Sequence, residues 1–324
     1  MYLTHADLST IIAASGSTDM AEAIHTEARF NDEDAARQHL ESIYWPNGPI
    51  CPHCGGTERN GRFNGTAHRP GLLACGDCRK QFTVTVGTVF ESSKVPLHKW
   101  VFATHLMCAS KKGISSKQLE RMLGVTYKTA WFMSHRIREA MNLAPTRQLG
   151  GGSEPVEVDE TFWGNKGKHA PGARSYHHQM KIVSLVERNG EKRSYHVPNV
   201  SPSTLRPILN AQINARARLM TDQAGVYTKI GNDFASHEVV NHSIKEYARG
   251  DVTTNSAESS FSLLKRGLIG TFHSVSEQHL QRYATEFDFR WNTRIKMGYN
   301  DVERAEVALR NIGGKRLTYR RIDA

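Results

Sequence analysis

The sequence predicts an α/β protein in which a mixed five-stranded sheet with helices follows a four-cysteine ribbon and a helix-turn-helix. Three observations carry that expectation. Cys51-Pro52-His53-Cys54 and Cys75-Gly76-Asp77-Cys78 are separated by twenty residues. Gly113 to Trp131 has the spacing of two helices joined by a tight turn. From residue 153 onward, strand-period apolar patterns alternate with helical ones.

The formal charge of +10 is unevenly spread over the 324 residues. Residues 1–50 carry 2 basic and 8 acidic side chains, whereas residues 51–150 carry 15 basic and 5 acidic. A basic middle third implies a polyanion partner, nucleic acid before an anionic membrane. A hydrophobic share of 39% with 23% charged residues excludes a disordered chain. No run approaches the ~18–20 apolar residues of a membrane span, and no basic-then-apolar leader opens the sequence, so a cytoplasmic protein is expected. In a reducing compartment, paired cysteines read as metal ligands rather than disulfides.

Residues 1–45 are expected to form an N-terminal helical segment. Asn31 or Asp32 caps a helix with an acidic first turn, Ala36, Leu40, Ile43 and Tyr44 make its apolar stripe, and Pro46 and Gly48 end it. Residues 46–92 read as a zinc ribbon. Each Cys-x-x-Cys turn presents two sulfurs to one ion, so Cys51, Cys54, Cys75 and Cys78 close a tetrahedron around one structural Zn²⁺. The Phe63 region and Gln81–Val86 read as its strands. Arg59, Arg62, His68, Arg69, Arg79 and Lys80 suit phosphate contacts or a solvated surface equally.

Residues 93–145 are expected to be a helix-turn-helix DNA-binding domain. Trp100–Ala109 is an apolar helix containing Cys108. Ser115 or Ser116 then caps a helix with Leu119, Met122 and Leu123 inward, Gly124 turns the chain, and Thr126 opens a helix running to about Met141. Such a motif offers Thr126, Tyr127, Lys128 and Thr129 to the major groove, with His135, Arg136 and Arg138 further along. Residues 146–152 (Thr-Arg-Gln-Leu-Gly-Gly-Gly) read as a flexible linker and a domain boundary.

Residues 153–324 hold the candidate chemistry. Val156–Gly164 alternates as a strand, with Glu157 and Asp159 on one face. Strands at Lys181–Val186 and Arg193–Val197 flank the hairpin signal Asn189-Gly190. Leu205–Ala215 is helical after Ser201 and Pro202. A buried strand from Arg218 ends in Asp222, another covers Glu238–Asn241, and a helix begins near Asn255. That order describes an RNase H-like domain. Asp159, Asp222 and Glu258 suit two Mg²⁺ (or Mn²⁺) ions, which favour carboxylate oxygens and can activate an attacking oxygen while stabilising a leaving one. Lys265 follows Glu258 by seven residues and shares its helix face, where it would meet a DNA backbone. The tail residues Lys315, Arg316, Arg320 and Arg321 form a backbone clamp or a solvated end.

The chain resembles bacterial insertion-sequence transposases of the DDE (RNase H-like) superfamily, in the branch with an N-terminal zinc ribbon. The resemblance is carried by Trp45-Pro46-x-Gly48-x-x-Cys51-Pro52-x-Cys54, Val158-Asp159-Glu160-Thr161-Phe162-x-Gly164 and Thr221-Asp222-x-x-x-x-Tyr227. It continues through Asn255–Gly267 and Gly270-Thr271-Phe272-His273 to Glu286-Phe287-x-x-Arg290-x-Asn292-x-Arg294. It implies metal-dependent cleavage at the inverted-repeat ends of an insertion sequence and joining of 3′-hydroxyls to target DNA. A homodimer or higher oligomer acting on double-stranded DNA at the nucleoid, with no membrane partner, is expected. In this branch the third residue of the triad is often Asn, so Asn255 stands beside Glu258 as the alternative ligand. Two other readings share these features: a zinc-ribbon and helix-turn-helix regulator with an inactive nuclease-like domain, and a structure-specific DNA nuclease.

Overall fold

The computed structural model describes residues 24–164 and 179–318, apart from Lys245 and Tyr247. The first 23 residues of the expected N-terminal helical segment, and Arg320 and Arg321 of the basic tail, lie outside the described residues.

A one-turn helix α1 (Ala28–Asn31) leads into α2 (Glu33–Tyr44). Asp32 rather than Asn31 caps α2, its Oδ1 accepting the Ala35 amide at 2.7 Å. Ala36, Leu40 and Ile43 are buried, and Trp45 meets Phe82 of the ribbon edge-on at 5.8 Å. The ribbon is three antiparallel strands, β1 (Asn60–Arg62), β2 (Leu73–Cys75) and β3 (Gln81–Phe82). The expected strand Gln81–Val86 stops at Phe82 because the chain turns there, the Val86 amide donating to the Thr83 carbonyl.

Helices α3 (Leu97–Ala109), α4 (Ser116–Leu123) and α5 (Tyr127–Met141) follow. Ser115 caps α4, Gly124 takes a left-handed φ of +58° that a side chain would resist, and Thr126 caps α5. Leu119 and Leu123 face inward, but Met122 does not: it is 44% exposed.

The second half is built on β4 (Val156–Trp163), β5 (Met180–Glu187), β6 (Lys192–Val197), β7 (Arg218–Asp222) and β8 (Ser236–Val240). The sheet order is β6-β5-β4-β7-β8. β4–β5 and β5–β6 are antiparallel, while β4–β7 and β7–β8 are parallel. Helix α6 (Pro202–Gln212), capped by Ser201 with Pro202 in its first turn, covers one face through Leu205 and Leu209. Helices α7 (Asn255–Gly267) and α8 (Glu277–Asn292) cover the other through Phe261, Leu264, Leu280 and Phe287.

The 146–152 segment is not the flexible linker its composition suggests. Leu149 is fully buried and trades backbone hydrogen bonds with Gln212 and Asn214, while the Gly150 amide donates to Glu187 at 2.8 Å. Gly150 has φ +71°, and a Cβ there would lie 2.4 Å from Ala217, so the glycine serves close packing.

Helix α8 joins the halves. Along one side it seals the open edge of β6: the Lys192, Ser194 and His196 amides donate to Asn292, Asp288 and Gln281 at 2.7, 2.5 and 2.7 Å. On another side Glu286, 0% exposed, accepts from Arg138 of α5 at 2.6 Å and Arg290 at 2.5 Å. The last helix, α9 (Asp301–Arg310), was expected to belong to the 153–324 domain. Instead Ala305, Ala308 and Leu309 join the core formed by α2, α3 and α5, and Arg304 donates to the Cys108 carbonyl at 3.0 Å. Its small residues let α9 lie close against α3.

Burial alone would raise the Glu286 carboxyl, but Arg138 and Arg290 overrule it and hold it below its ordinary value. Glu286→Ala, which strands two buried guanidinium groups, should cost roughly 3–5 kcal/mol in urea unfolding at neutral pH. A carboxyl held low in the folded state adds stability above its unfolded value near ~4.3 and loses it as pH falls through the folded value. The cost of the substitution should therefore shrink in acid.

Candidate functional site

The four cysteines are free thiols whose sulfurs lie within 4.8 Å of one another. Cys51–Cys78 and Cys54–Cys75 are each 3.6 Å apart. That is far beyond the ~2.05 Å of a disulfide and close to the ~3.8 Å edge of a tetrahedron with Zn–S bonds of about 2.3 Å. Both knuckles have the same backbone: the Gly55 amide donates to the Cys51 carbonyl and the Arg79 amide to the Cys75 carbonyl. Gly55 and Arg79 both take positive φ, +78° and +61°. The donor set fits a structural zinc ion.

The candidate carboxylates are assembled by sheet register. Val158 pairs with Thr221 across the parallel β4–β7 ladder, so the next residues, Asp159 and Asp222, stand side by side at the strand ends. Both point to the face covered by α7, whose first turn carries Glu258. Burial pushes the Asp159 carboxyl up, and Glu160, Asp222 and Glu258 raise it further, to about 7, against the 2.8 Å hydrogen bond from the Glu160 amide. Such crowding of acidic oxygens is chemistry for a hard divalent cation. Among the described residues the thiols, and not the carboxylates, converge to within 4.8 Å. Asn255, Glu258 and Lys265 are exposed and recur at helical spacing along α7.

Glu160 lies on the opposite strand face, as expected, yet remains part of the electrostatics. Burial and Asp222 raise its carboxyl, opposed by the hydroxyl of fully buried Tyr227, which donates to it at 2.6 Å. Glu157, on the Asp159 face, is 0% exposed and bonded to α7 rather than to the site opening.

The surface of the α4–α5 pair, the expected helix-turn-helix, divides in two. Thr126, Tyr127 and Lys128 are exposed, Thr129 is half-buried, and Lys117 sits 4.9 Å over the Tyr127 ring. His135 and Arg138 are not available to DNA, contrary to expectation, because α8 covers that part of α5. His135 is fully buried between Trp131, His279 and Tyr283, with both ring nitrogens unpartnered. Arg138 is committed to Glu286, and Arg136 is buried with its guanidinium on the Glu91 and Leu317 carbonyls. No helix among the described residues is long and apolar enough to cross a membrane.

Residues 148–292 match the family model of the ISXO2-like transposase domain, and residues 31–81 match the transposase zinc-ribbon domain. An uncharacterized protein in transposable element ISH50 of Halobacterium salinarum is 30% identical over 287 residues, covering 83% of this chain and 94% of that protein. The chain belongs to the ISXO2-like transposase family. In this transposase the zinc-ribbon match takes in all of α2, which packs on the ribbon, and the transposase-domain match ends at Asn292, the last residue of α8. Sequence reasoning assigned no role to Glu157 or Glu286. A place on the strand face of Asp159 was the available signal for the first; for the second it was the motif Glu286-Phe287-x-x-Arg290, which sets an acid and a base four residues apart.

The transposase should contain about one zinc per chain, and Cys75→Ser or strong chelation should unfold the ribbon, read as a change in Trp45 fluorescence. Zinc-free, folded protein would exclude the assignment. Burial, with Arg138, His279 and Arg282, lowers the His135 imidazole to about 2. A histidine lowered in the folded state costs stability as pH falls below the unfolded value of ~6.5. His135→Phe should therefore flatten the loss of melting temperature between pH 7 and pH 5 while leaving DNA affinity unchanged.

Proposed function

We propose that this transposase binds the inverted-repeat ends of its element as double-stranded DNA and cuts them at Asp159, Asp222 and Glu258. The freed 3′-hydroxyl is then joined to target DNA. The observation that carries this reading is the β4–β7 register, which leaves two carboxylates abreast on the face that receives the first turn of α7. When bound, Mg²⁺ or Mn²⁺ ions would supply charge neutralisation at the phosphate and activation of the attacking oxygen. Asp159, Asp222 and Glu258 would hold them, with Asn255 as the neighbouring alternative to Glu258. Burial and the neighbouring carboxylates disfavour a lone negative charge on Asp159, and a bound proton or a cation relieves it.

Lys265 continues the exposed face of Glu258 and is assigned to the DNA backbone. The zinc ribbon and the exposed start of α5, with Thr126, Tyr127, Lys128 and Thr129, are assigned to the element ends. Two ends must be brought together, so a homodimer or higher oligomer on DNA, associated with the nucleoid, is part of the proposal.

The test is cleavage and strand transfer with a labelled element end, purified protein and Mg²⁺. Asp222→Ala and Glu258→Gln should each lower the cleavage rate more than about 10³-fold, equivalent to about 4 kcal/mol. Asn255→Ala should stay within about tenfold of wild type. If wild type and Asp222→Ala behave alike, the reading fails.

A further inference from the structure

We propose that Glu157 is a positioning residue for the carboxylate site, fixing the first turn of α7 against the strand that bears Asp159. The proposal rests on the metal-dependent reading above. Glu157 Oε2 accepts the Ser256 amide at 2.7 Å and the Ala257 amide at 3.1 Å, and Oε1 accepts the Ser256 hydroxyl at 3.0 Å. Arg188 donates to Oε1 through Nε at 3.1 Å and Nη2 at 2.9 Å. Five donors thus converge on one carboxylate that has no exposure.

Those amides are ones a helix ordinarily leaves for its N-cap side chain. Thr254, the N-cap of α7, makes no such bond. Glu157 supplies the acceptor from a different element, and its negative charge meets the positive end of the helix dipole. Ser256 and Ala257 lie between Asn255 and Glu258, so the bonds act on the turn from which both candidate ligands project. Arg188 extends the clamp to the preceding loop, donating to the Asp251 carbonyl at 2.8 Å and the Thr253 carbonyl at 3.3 Å. Glu157 and Asp159 are two residues apart on one strand face, so the clamp sets the separation of Asp159 from Glu258. Its saturated, buried oxygens exclude Glu157 as a metal ligand itself.

Partners that orient metal ligands typically change metal affinity or activity 10–100-fold when removed. Glu157→Gln keeps the size of the side chain but presents an amide nitrogen to groups that are already donors. Mn²⁺ affinity is read by electron paramagnetic resonance of the free ion, alongside cleavage of a labelled element end, zinc content, melting temperature and end-DNA binding. Glu157→Gln should weaken Mn²⁺ binding and slow cleavage by 10–100-fold, with zinc content and end binding unchanged and cleavage partly restored at high Mn²⁺. Glu157→Asp, which keeps the charge, should fall between. A folded Glu157→Gln with wild-type Mn²⁺ affinity and cleavage overturns the proposal. Should Glu157→Gln not fold, Arg188→Lys carries the test: a several-fold weaker Mn²⁺ affinity is expected, and an unchanged one overturns it. Failure of the underlying reading is separate, since wild type would then lack any Asp222-dependent Mn²⁺ binding or cleavage.

Discussion

The buried carboxylate of Glu286, gripped by Arg138 and Arg290, governs how the two halves of this chain meet. Three charged groups from two helices are removed from water there, with Arg290 also donating to the Met107 carbonyl of α3 at 2.7 Å and Arg138 lying 4.0 Å over the Tyr283 ring. Burying charge is expensive, and an apolar cluster of equal volume would often be more stable. What the ions add is uniqueness. An apolar face tolerates rotation or sliding of α8 on α5, whereas one carboxylate between two guanidinium groups has a single register.

That register propagates because the remaining sides of α8 are also committed. Gln281, Asp288 and Asn292 answer the edge amides of β6, and Phe287 packs so tightly on Gly267 of α7 that a Cβ there would come within 2.3 Å of the ring. The helix-turn-helix, the sheet and the helix carrying Glu258 are therefore referred to one element. α9 adds a second tie, returning the chain to α3, and just beyond it the Ile312 carbonyl accepts from the Val89 amide of the segment that follows the ribbon. α5 and the sheet that carries Asp159 and Asp222 are thus both tied to α8.

What the sequence made legible was local. Cys-x-x-Cys spacing, the caps at Asp32, Ser115, Thr126 and Ser201, the Asn189-Gly190 hairpin and strand alternation each depend on residues close along the chain, and the structure has each of them. The side-by-side placement of Asp159 and Asp222 was partly legible, since each ends a strand of the expected order. What was not legible depends on partners far away along the chain. Basic residues on α5 read as DNA contacts until α8 covers them. A Gly-Gly-Gly stretch reads as flexible until Leu149 and Gly150 are pinned by α6 and β5. The apolar stripe of α9 says that it packs but not against which half. Glu157 reads as a strand acid until the amides of α7 arrive over it.

Burial and ion pairing narrow the meaning of the positive charge. The excess between residues 51 and 150 pointed to a polyanion partner, yet part of it is buried or ion-paired. Arg136 and Arg138 are buried, Arg62 is paired with Glu41 at 2.7 Å, Arg147 with Glu187, and Arg59 lies 3.6 Å from Asp77. Exposed cations include Arg69, Arg79 and Lys80 on the ribbon, Lys94 beyond it, and Lys111, Lys112, Lys117, Arg121 and Lys128 on and beside α4 and α5, with Lys117 paired to Glu120 at 2.9 Å. Gly113, next to Lys112, lies against Phe272 in the turn that follows α7, and the Lys112 carbonyl closely approaches Gly267. Lys111 and Lys112 therefore sit near α7, which carries the exposed Lys265 and Arg266. On the proposed reading, the charge offered to a polyanion is not the net sum over a stretch but its exposed cations, around the start of α5 and on α7.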